Sequence, residues 1–391
     1  MPSESVLSEL LAKFSATYGR EPSVVSYAPG RIEVLGNHTD YNEGYVLSAA
    51  IDFGTFFAAA PREDGLARLT AGDLMQTVEF PASAPEKTPD AMWSNYVKGC
   101  LAGLCERFGA PPRGFDAMFL GNIPLGSGLS SSAALECCST FAFARLYGWD
   151  VAPLDAARIG QKAEHGWAGV MCGLLDQATS IFGRKDSLVM SDFRACEFKP
   201  VAFPADVCFL MCNTHARHAL VDGAYNERRE RCERAARFFA AALPHPVSAL
   251  RDVSWDEWLE HHGDMDELDA KRSAHPIGED ERVLAGVELL REGDVAAFGR
   301  LMFESHQSSR DYFENSCPEL DAVVDAARGV PGVLGARLSG GGFGGSAVVL
   351  VERRAAETAA AALASAYARA FGSPCDVRAV SCSEGAHVVR G

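Results

Sequence analysis

The chain has 391 residues, 48% of them hydrophobic and 23% charged, with a formal net charge of −16. That length allows two domains with sizeable cores, and the balance is ordinary for a globular protein. The acidic excess argues against nucleic acid or an anionic membrane surface as main partner, and no apolar run reaches membrane-spanning length.

Residues 5–18 predict an amphipathic helix with Val6, Leu7, Leu10, Leu11 and Phe14 on one side. Its acidic residues are unlike a signal or transit peptide. A short strand over 24–27 is expected to end at Pro29-Gly30. Strands follow at 55–60, 67–70 and 77–80, then a helix over 93–108 and a strand over 115–120. Residues 121–136, GNIPLGSGLSSSAALE, lead into a helix over 133–146. Helices are expected over 153–167 and 175–182, and buried strands over 188–190 and 207–211. A long charged helix covers 222–242, and a polar Trp/His-rich segment covers 252–264. Helices follow over 280–291, 294–305 and 318–328. A strand at 333–338, a glycine loop at 340–345 and a strand at 346–352 come next, then a helix over 355–371 and a last strand over 376–381. This mixed order, with few clean βαβ units, predicts an α+β fold in two domains, 1–200 and 201–391. The 12 cysteines are scattered with no C-x-x-C pair, which points to reduced thiols in a cytoplasmic protein and away from a zinc site.

The stretch 121–136 is the chemical centre of the sequence. Gly126 and Gly128 let backbone N–H groups turn toward a ligand. Ser127, Ser130, Ser131 and Ser132 supply hydroxyls, and a serine can cap the helix that follows. With Leu129 between them, these residues form a candidate phosphate site at a helix N-terminus. The alternative is a Ser/Gly loop before an ordinary capped helix. No G-x-x-x-x-G-K-[ST] occurs, so a nucleotide bound here is held without a P-loop lysine.

Three further segments carry polar chemistry. Residues 31–41 crowd Arg31, Asn37, His38, Asp40 and Tyr41 between glycines, which suits a polyhydroxylated ligand or, alternatively, a solvated hairpin. Residues 162–177 hold Glu164 and Asp176. Glu164 with a serine of the 130–132 run suits Mg2+, and Asp176 suits orienting or deprotonating a hydroxyl. Gly173 permits close approach to a ligand. The alternatives are a helix-surface charge and an acid at a helix N-terminus. Residues 340–345 form a G-x-G-x-x-G that runs from strand to strand. That context excludes the dinucleotide fingerprint and predicts a glycine hairpin closing over a neighbouring loop or ligand. Trp93 could stack a base or belong to the core, and Tyr225 could bond a ligand or lie on a solvated helix face.

GRIEVLGNHTDYNEGYVL, PLGSGLSSSAALE and RLSGGGFGGSAVVLVE, in this order, resemble the GHMP family of small-molecule kinases, and within it the galactokinases. The resemblance implies an N-terminal domain like the second domain of ribosomal protein S5 and a ferredoxin-like C-terminal domain. It implies ATP over residues 126–132 with Trp93 near the adenine, and Mg2+ on Ser132 and Glu164. Asp176 would face the C1 hydroxyl of galactose with Arg31 beside it, and Asn37, His38, Asp40, Gly173 and Tyr225 would bind the hexose. Only small-molecule partners and a monomer are expected. One departure bears on specificity: galactokinases usually have Glu where this chain has Asn37, where it helps read the C6 hydroxyl. Glu33, where the family usually has Asn, and Met171, where it often has Pro, are smaller departures. A neutral Asn37 admits galacturonate or a modified galactose as an alternative substrate. A non-catalytic sugar sensor is a weaker alternative, because the serine run and Asp176 are intact.

Overall fold

The computed structural model describes residues 2–108, 113–124, 126–217 and 221–391. Leu125, inside the glycine–serine stretch, lies outside the described residues.

The first half of the chain builds one sheet with helices on both faces. Helix α1 (Pro2–Tyr18) precedes β1 (Val24–Leu35), β2 (Tyr45–Arg62), β3 (Leu66–Ala71) and β4 (Gln76–Pro81). Then come α2 (Met92–Phe108), β5 (Gly114–Gly121), α3 (Ser131–Tyr147), α4 (Pro153–Ala163), α5 (Leu175–Phe182), β6 (Ser187–Asp192) and β7 (Glu197–Ala202). Alternation along the strands decides which face each side chain takes. Val25, Tyr27, Phe56, Ala58 and Met118 pack on Leu10 and Phe14 of α1. Their neighbours Val24, Phe57, Ala59 and Ala117 join the main core with α2, α3 and α4.

The sequence pattern ended the first strand at Pro29-Gly30, yet β1 runs on to Leu35 with all 12 residues buried. A register shift against β2 between Pro29 and Arg31 absorbs the proline. A strand buried on both faces shows no polar alternation, so its continuation reads as a turn-rich segment. The shift leaves Arg31 and Glu33 on one side of a strand rather than on a loop.

The second half holds β8 (Val207–Arg217), α6 (Val221–Ala242), α7 (Trp255–His261), α8 (Glu267–Glu292), α9 (Val295–Ser308) and α10 (Pro318–Ala327). It continues with β9 (Val333–Ser339), β10 (Gly344–Glu352), α11 (Ala356–Phe371), β11 (Asp376–Val380) and β12 (His387–Arg390). The antiparallel sheet β11-β8-β10-β9, with helices between β8 and β9 and between β10 and β11, has ferredoxin-like connections. Leu210, Cys212, Val349 and Val351 face α10 and α11. Phe209, Met211, Val348 and Leu350 face the other way, into the main core. The two sheets therefore share one hydrophobic interior. β12 leaves this second sheet and pairs with β1 of the first.

Helix α8 begins 13 residues before the expected start at 280 and carries Pro276 inside it. A proline removes one helical hydrogen bond, which is why the sequence reading stopped short of it. Burial of every residue from Arg272 to Asp280 outweighs that loss. Tight glycine packing joins α9 to the second sheet. A Cβ at Gly335 of β9 would overlap the Gly299 carbonyl oxygen of α9. Gly335→Ala should cost about 1–3 kcal/mol by overpacking. Thermal denaturation should read this as a lowered Tm, with the site chemistry intact in the folded fraction.

Candidate active site

The glycine–serine stretch leaves β5 and enters α3 through Ser130, which adopts a left-handed conformation at φ 59° and ψ 53°. Its side chain does not cap the helix. It turns instead to Asp176, donating to Oδ2 at 2.6 Å. The N–H groups of the first turn of α3 thus keep the orphan donors that suit an anion.

Two other motifs fasten this loop from behind. The Arg31 amide donates to the Leu129 carbonyl at 3.1 Å, and a Cβ at Gly30 would lie 2.6 Å from that same oxygen. Position 30 therefore needs glycine for contact rather than for a turn. Ser346 Oγ of β10 donates to the Ser127 carbonyl at 2.6 Å. The hydroxyl of Ser127 is buried and donates to Pro124, so it holds the loop rather than facing a ligand.

Asp176 is the second residue of α5 and meets Arg31 of β1. Arg31 Nε and Nη2 both reach Asp176 Oδ1 at 2.8 Å. Arg31 Nη1 donates to the Gly128 carbonyl at 2.6 Å. One guanidinium thus ties the candidate carboxylate to the candidate phosphate loop through charge-assisted bonds.

Ser132, the second residue of α3, donates to Glu164 Oε1 at 3.0 Å. Glu164 opens a turn of π-helix, Glu164–Ala168, that ends α4. Gln177 Nε2 bridges Glu164 Oε2 at 2.9 Å and Glu136 Oε2 at 2.8 Å. Burial pushes both carboxyls up, and the nearby charges of Asp176 on Glu164 and of Glu164 on Glu136 add to it. Among the described residues no group of three or more His, Cys, Asp or Glu could hold a metal ion. The Ser132–Glu164 pair fits only a cation that takes most of its ligands elsewhere. Mg2+ is such a cation, and adjacent ligands of its octahedron at 2.0–2.1 Å stand about 3 Å apart, the separation of these two oxygens.

Arg31, Asn37, His38, Asp40, Gly173, Asp176 and Tyr225 all line one cavity of about 180 Å³. Burial, reinforced by the charges of Glu33 and Asp176, pushes the Asp40 carboxyl up to about 7. Gly173 lies so close that a Cβ there would overlap Asp40 Oδ2. His38 is buried at φ 61°, and burial pulls its imidazole down to about 4. Its Nε2 lies 3.1 Å from the Gly341 carbonyl and carries the proton, leaving Nδ1 to accept from the Tyr41 hydroxyl at 2.8 Å. Asn37 is committed to the protein: Nδ2 donates to Glu33 Oε1 at 2.7 Å and to the Gly340 carbonyl at 2.8 Å. Its Oδ1 accepts from Asn315 Nδ2 at 2.9 Å. The glycine hairpin between β9 and β10 therefore closes over this cavity and over the phosphate loop, as its strand-to-strand context predicted.

Trp93, Tyr96 and Phe119 line a second cavity of about 260 Å³, with Ser131 and Ser132 at its edge. Consecutive serines thus serve different places: Ser130 faces Asp176, while Ser131 and Ser132 face the aromatic cavity. The sequence reading missed Glu33, Asn226 and Cys172, which line the first cavity, and Gln177. Glu33 stands two residues from Arg31 on β1, a spacing that signals a shared face once the strand is recognised.

A lysine-free glycine–serine loop lies between an aromatic cavity and a polar cavity, an arrangement suited to a small-molecule kinase of the GHMP class. Known families match in three places: the galactokinase galactose-binding signature over residues 12–61, the GHMP kinase N-terminal domain over 95–184 and the GHMP kinase C-terminal domain over 287–369. The galactokinase of Roseiflexus sp. (strain RS-1) is 39% identical over 377 residues, 96% of either chain. The crystal structure of Lactococcus lactis galactokinase complexed with galactose superposes with a TM-score of 0.92 at 33% identity, covering 98% of this chain and 99% of that one. The Methanococcus jannaschii mevalonate kinase shares the fold, with a TM-score of 0.61 at 16% identity over 93% of this chain and all of its own. The chain belongs to the galactokinase family of GHMP kinases.

The raised Asp40 carboxyl has a stability consequence. Between about 4 and 7 the unfolded chain has released this proton while the folded chain keeps it, so the group lowers stability as pH rises through that window. Asp40→Asn removes the effect. The variant should melt higher than the parent at pH 8 and at the same temperature near pH 3, as read by thermal denaturation at both values.

Proposed function

We propose that this chain is a galactose 1-kinase that transfers the γ-phosphoryl group of ATP to the C1 hydroxyl, giving galactose 1-phosphate and ADP. The observation that carries the reading is the Asp176 carboxylate, held by Arg31 and Ser130 where the polar cavity meets the phosphate cradle. In the transfer the bond from the γ-phosphorus to the bridging oxygen breaks, the bond to the sugar oxygen forms, and the hydroxyl proton passes to Asp176. Such transfers depend mainly on alignment and charge neutralisation. Arg31 serves both, since one side chain touches the base and the loop that cradles phosphate.

ATP lies with its phosphates over residues 126–132 and its adenine between Trp93 and Tyr96, a placement supported by the aromatic cavity beside Ser131 and Ser132. Ser132 and Glu164 hold Mg2+, which supplies positive charge against the β- and γ-phosphates. Its charge would also draw the raised Glu164 carboxyl back toward ionisation. Ionised Asp40 accepts two sugar hydroxyl protons, Gly173 leaves room for the ring beside it, and Asn37, His38 and Tyr225 form the wall. The intact Ser130 and Asp176 weigh against a non-catalytic sensor, and the Glu33 carboxylate in the same cavity weighs against galacturonate. The chain divides near residue 200, where it passes from the first sheet to the second. It works in a reducing, cytoplasmic setting, a reading supported by 12 unpaired cysteines. No helix among the described residues is long and apolar enough to cross a membrane.

The test is galactose-dependent release of ADP, with the product identified by phosphorus NMR as the 1-phosphate. Asp176→Asn should bind ATP within about twofold of the parent and lose about 10²–10⁴-fold in kcat; a normal kcat refutes the assignment. The pH profile gives an independent check. Because the Asp40 carboxyl is held up to about 7, the KM for galactose should rise as pH falls below that value. Asp40→Asn should show a high KM that no longer varies there.

A further inference from the structure

Asn37 and Glu33 stand interchanged relative to the pattern the family resemblance implies, and the structure places their side chains in contact. Asn37 Nδ2 donates to Glu33 Oε1 at 2.7 Å. Changing position 37 alone would have left an amide where a carboxylate was expected, and changing position 33 alone would have set two carboxylates against each other. Both changes together keep one carboxylate and one amide, joined by one hydrogen bond. The carboxylate has moved across the contact.

Its new position is suited to a ligand. Glu33 lines the same cavity as Asp176. Glu33 lies two residues along β1 from Arg31, the arginine that grips Asp176, on the same face of the strand. Arg337 Nη1 donates to Glu33 Oε1 at 2.9 Å, and Asn37 donates to the same oxygen. Among the described residues no donor reaches Oε2. That atom is also absent from the fully enclosed, unpartnered atoms, which do include Nε and Nη2 of Arg337. The second oxygen is therefore turned to the cavity. Burial pushes the Glu33 carboxyl up and the Arg337 charge opposes it. A hydroxyl donor from a bound sugar would favour the ionised form further.

We infer that Glu33, positioned by Asn37 and Arg337, selects the sugar by accepting a hydrogen bond from a hexose hydroxyl other than the one phosphorylated. This rests on the galactose kinase reading. A site built to bond a hydroxyl rejects an analogue lacking it, because a buried oxygen is then left unpaired. A uronic acid would set its carboxylate against that of Glu33. Asn37 acts through Glu33, since its amide group is already bonded to Glu33, Gly340 and Asn315.

The experiment compares kcat/KM for galactose, 4-deoxygalactose, 6-deoxygalactose and galacturonate. The parent enzyme should disfavour at least one deoxy analogue by tenfold or more and reject galacturonate. Glu33→Gln should bring that analogue within about threefold of galactose, chiefly through a raised KM for galactose. The double exchange Glu33→Asn with Asn37→Glu should restore most of the preference. A folded Glu33→Gln that keeps the parental preference overturns the inference. So does a parent that turns over galactose and both deoxy sugars equally, a result that needs no variant to fold. A parent with no galactose-dependent ADP release overturns the proposed function instead, and this inference with it.

Discussion

Arg31 is the contact on which the active-site geometry depends. Its three guanidinium nitrogens reach Asp176 and the Gly128 carbonyl, and its amide reaches the Leu129 carbonyl. Arginine suits this place because its fork is rigid, always charged and able to meet two partners in fixed directions. A lysine there would reach one partner at a time. The side chain is nearly enclosed, at 6% exposure, so leaving its charge unpaired would be costly. The pairing with Asp176 is therefore held by the folded protein itself before any ligand arrives.

The rest of the site is arranged around buried acids. Glu33, Asp40, Glu136 and Glu164 are all pushed up by burial. Each lowers the stability of the empty fold at neutral pH, and each is a group that a sugar hydroxyl or a cation can satisfy. The protein answers part of the cost internally, with Gln177 between two carboxylates and Arg337 against a third. Where the remaining demand is met by ligands, binding should also tighten the fold.

Much of this could be read from the residues. The glycine–serine stretch, its lack of a lysine, the strand-to-strand context of residues 340–345 and the polar crowd at 31–41 are all visible locally, and the fold brings these segments together. What stayed hidden had physical reasons. Pro29-Gly30 reads as a strand end, which puts Arg31 and Glu33 in a turn-rich segment and hides their shared face. Pro276 masked the first half of α8. Any serine of the run could cap the helix, and only the fold brings Asp176 within reach of Ser130. Arg337 and Asn315 meet Glu33 and Asn37 across some 280–300 residues of chain, and no local pattern encodes such a meeting. β12 is four residues with no period to detect.

That last strand has a consequence for how the molecule comes into being. β12 lies beside β1, the strand that bears Arg31 and Glu33. While the chain is being synthesised, the first sheet can collapse with its helices, but one rim of β1 stays open until residues 387–390 leave the ribosome. An open rim of backbone donors and acceptors invites other strands. The nascent protein thus carries a sticky margin while the more than 300 residues between β1 and β12 are made, and the strand that closes it comes from a distant part of the chain.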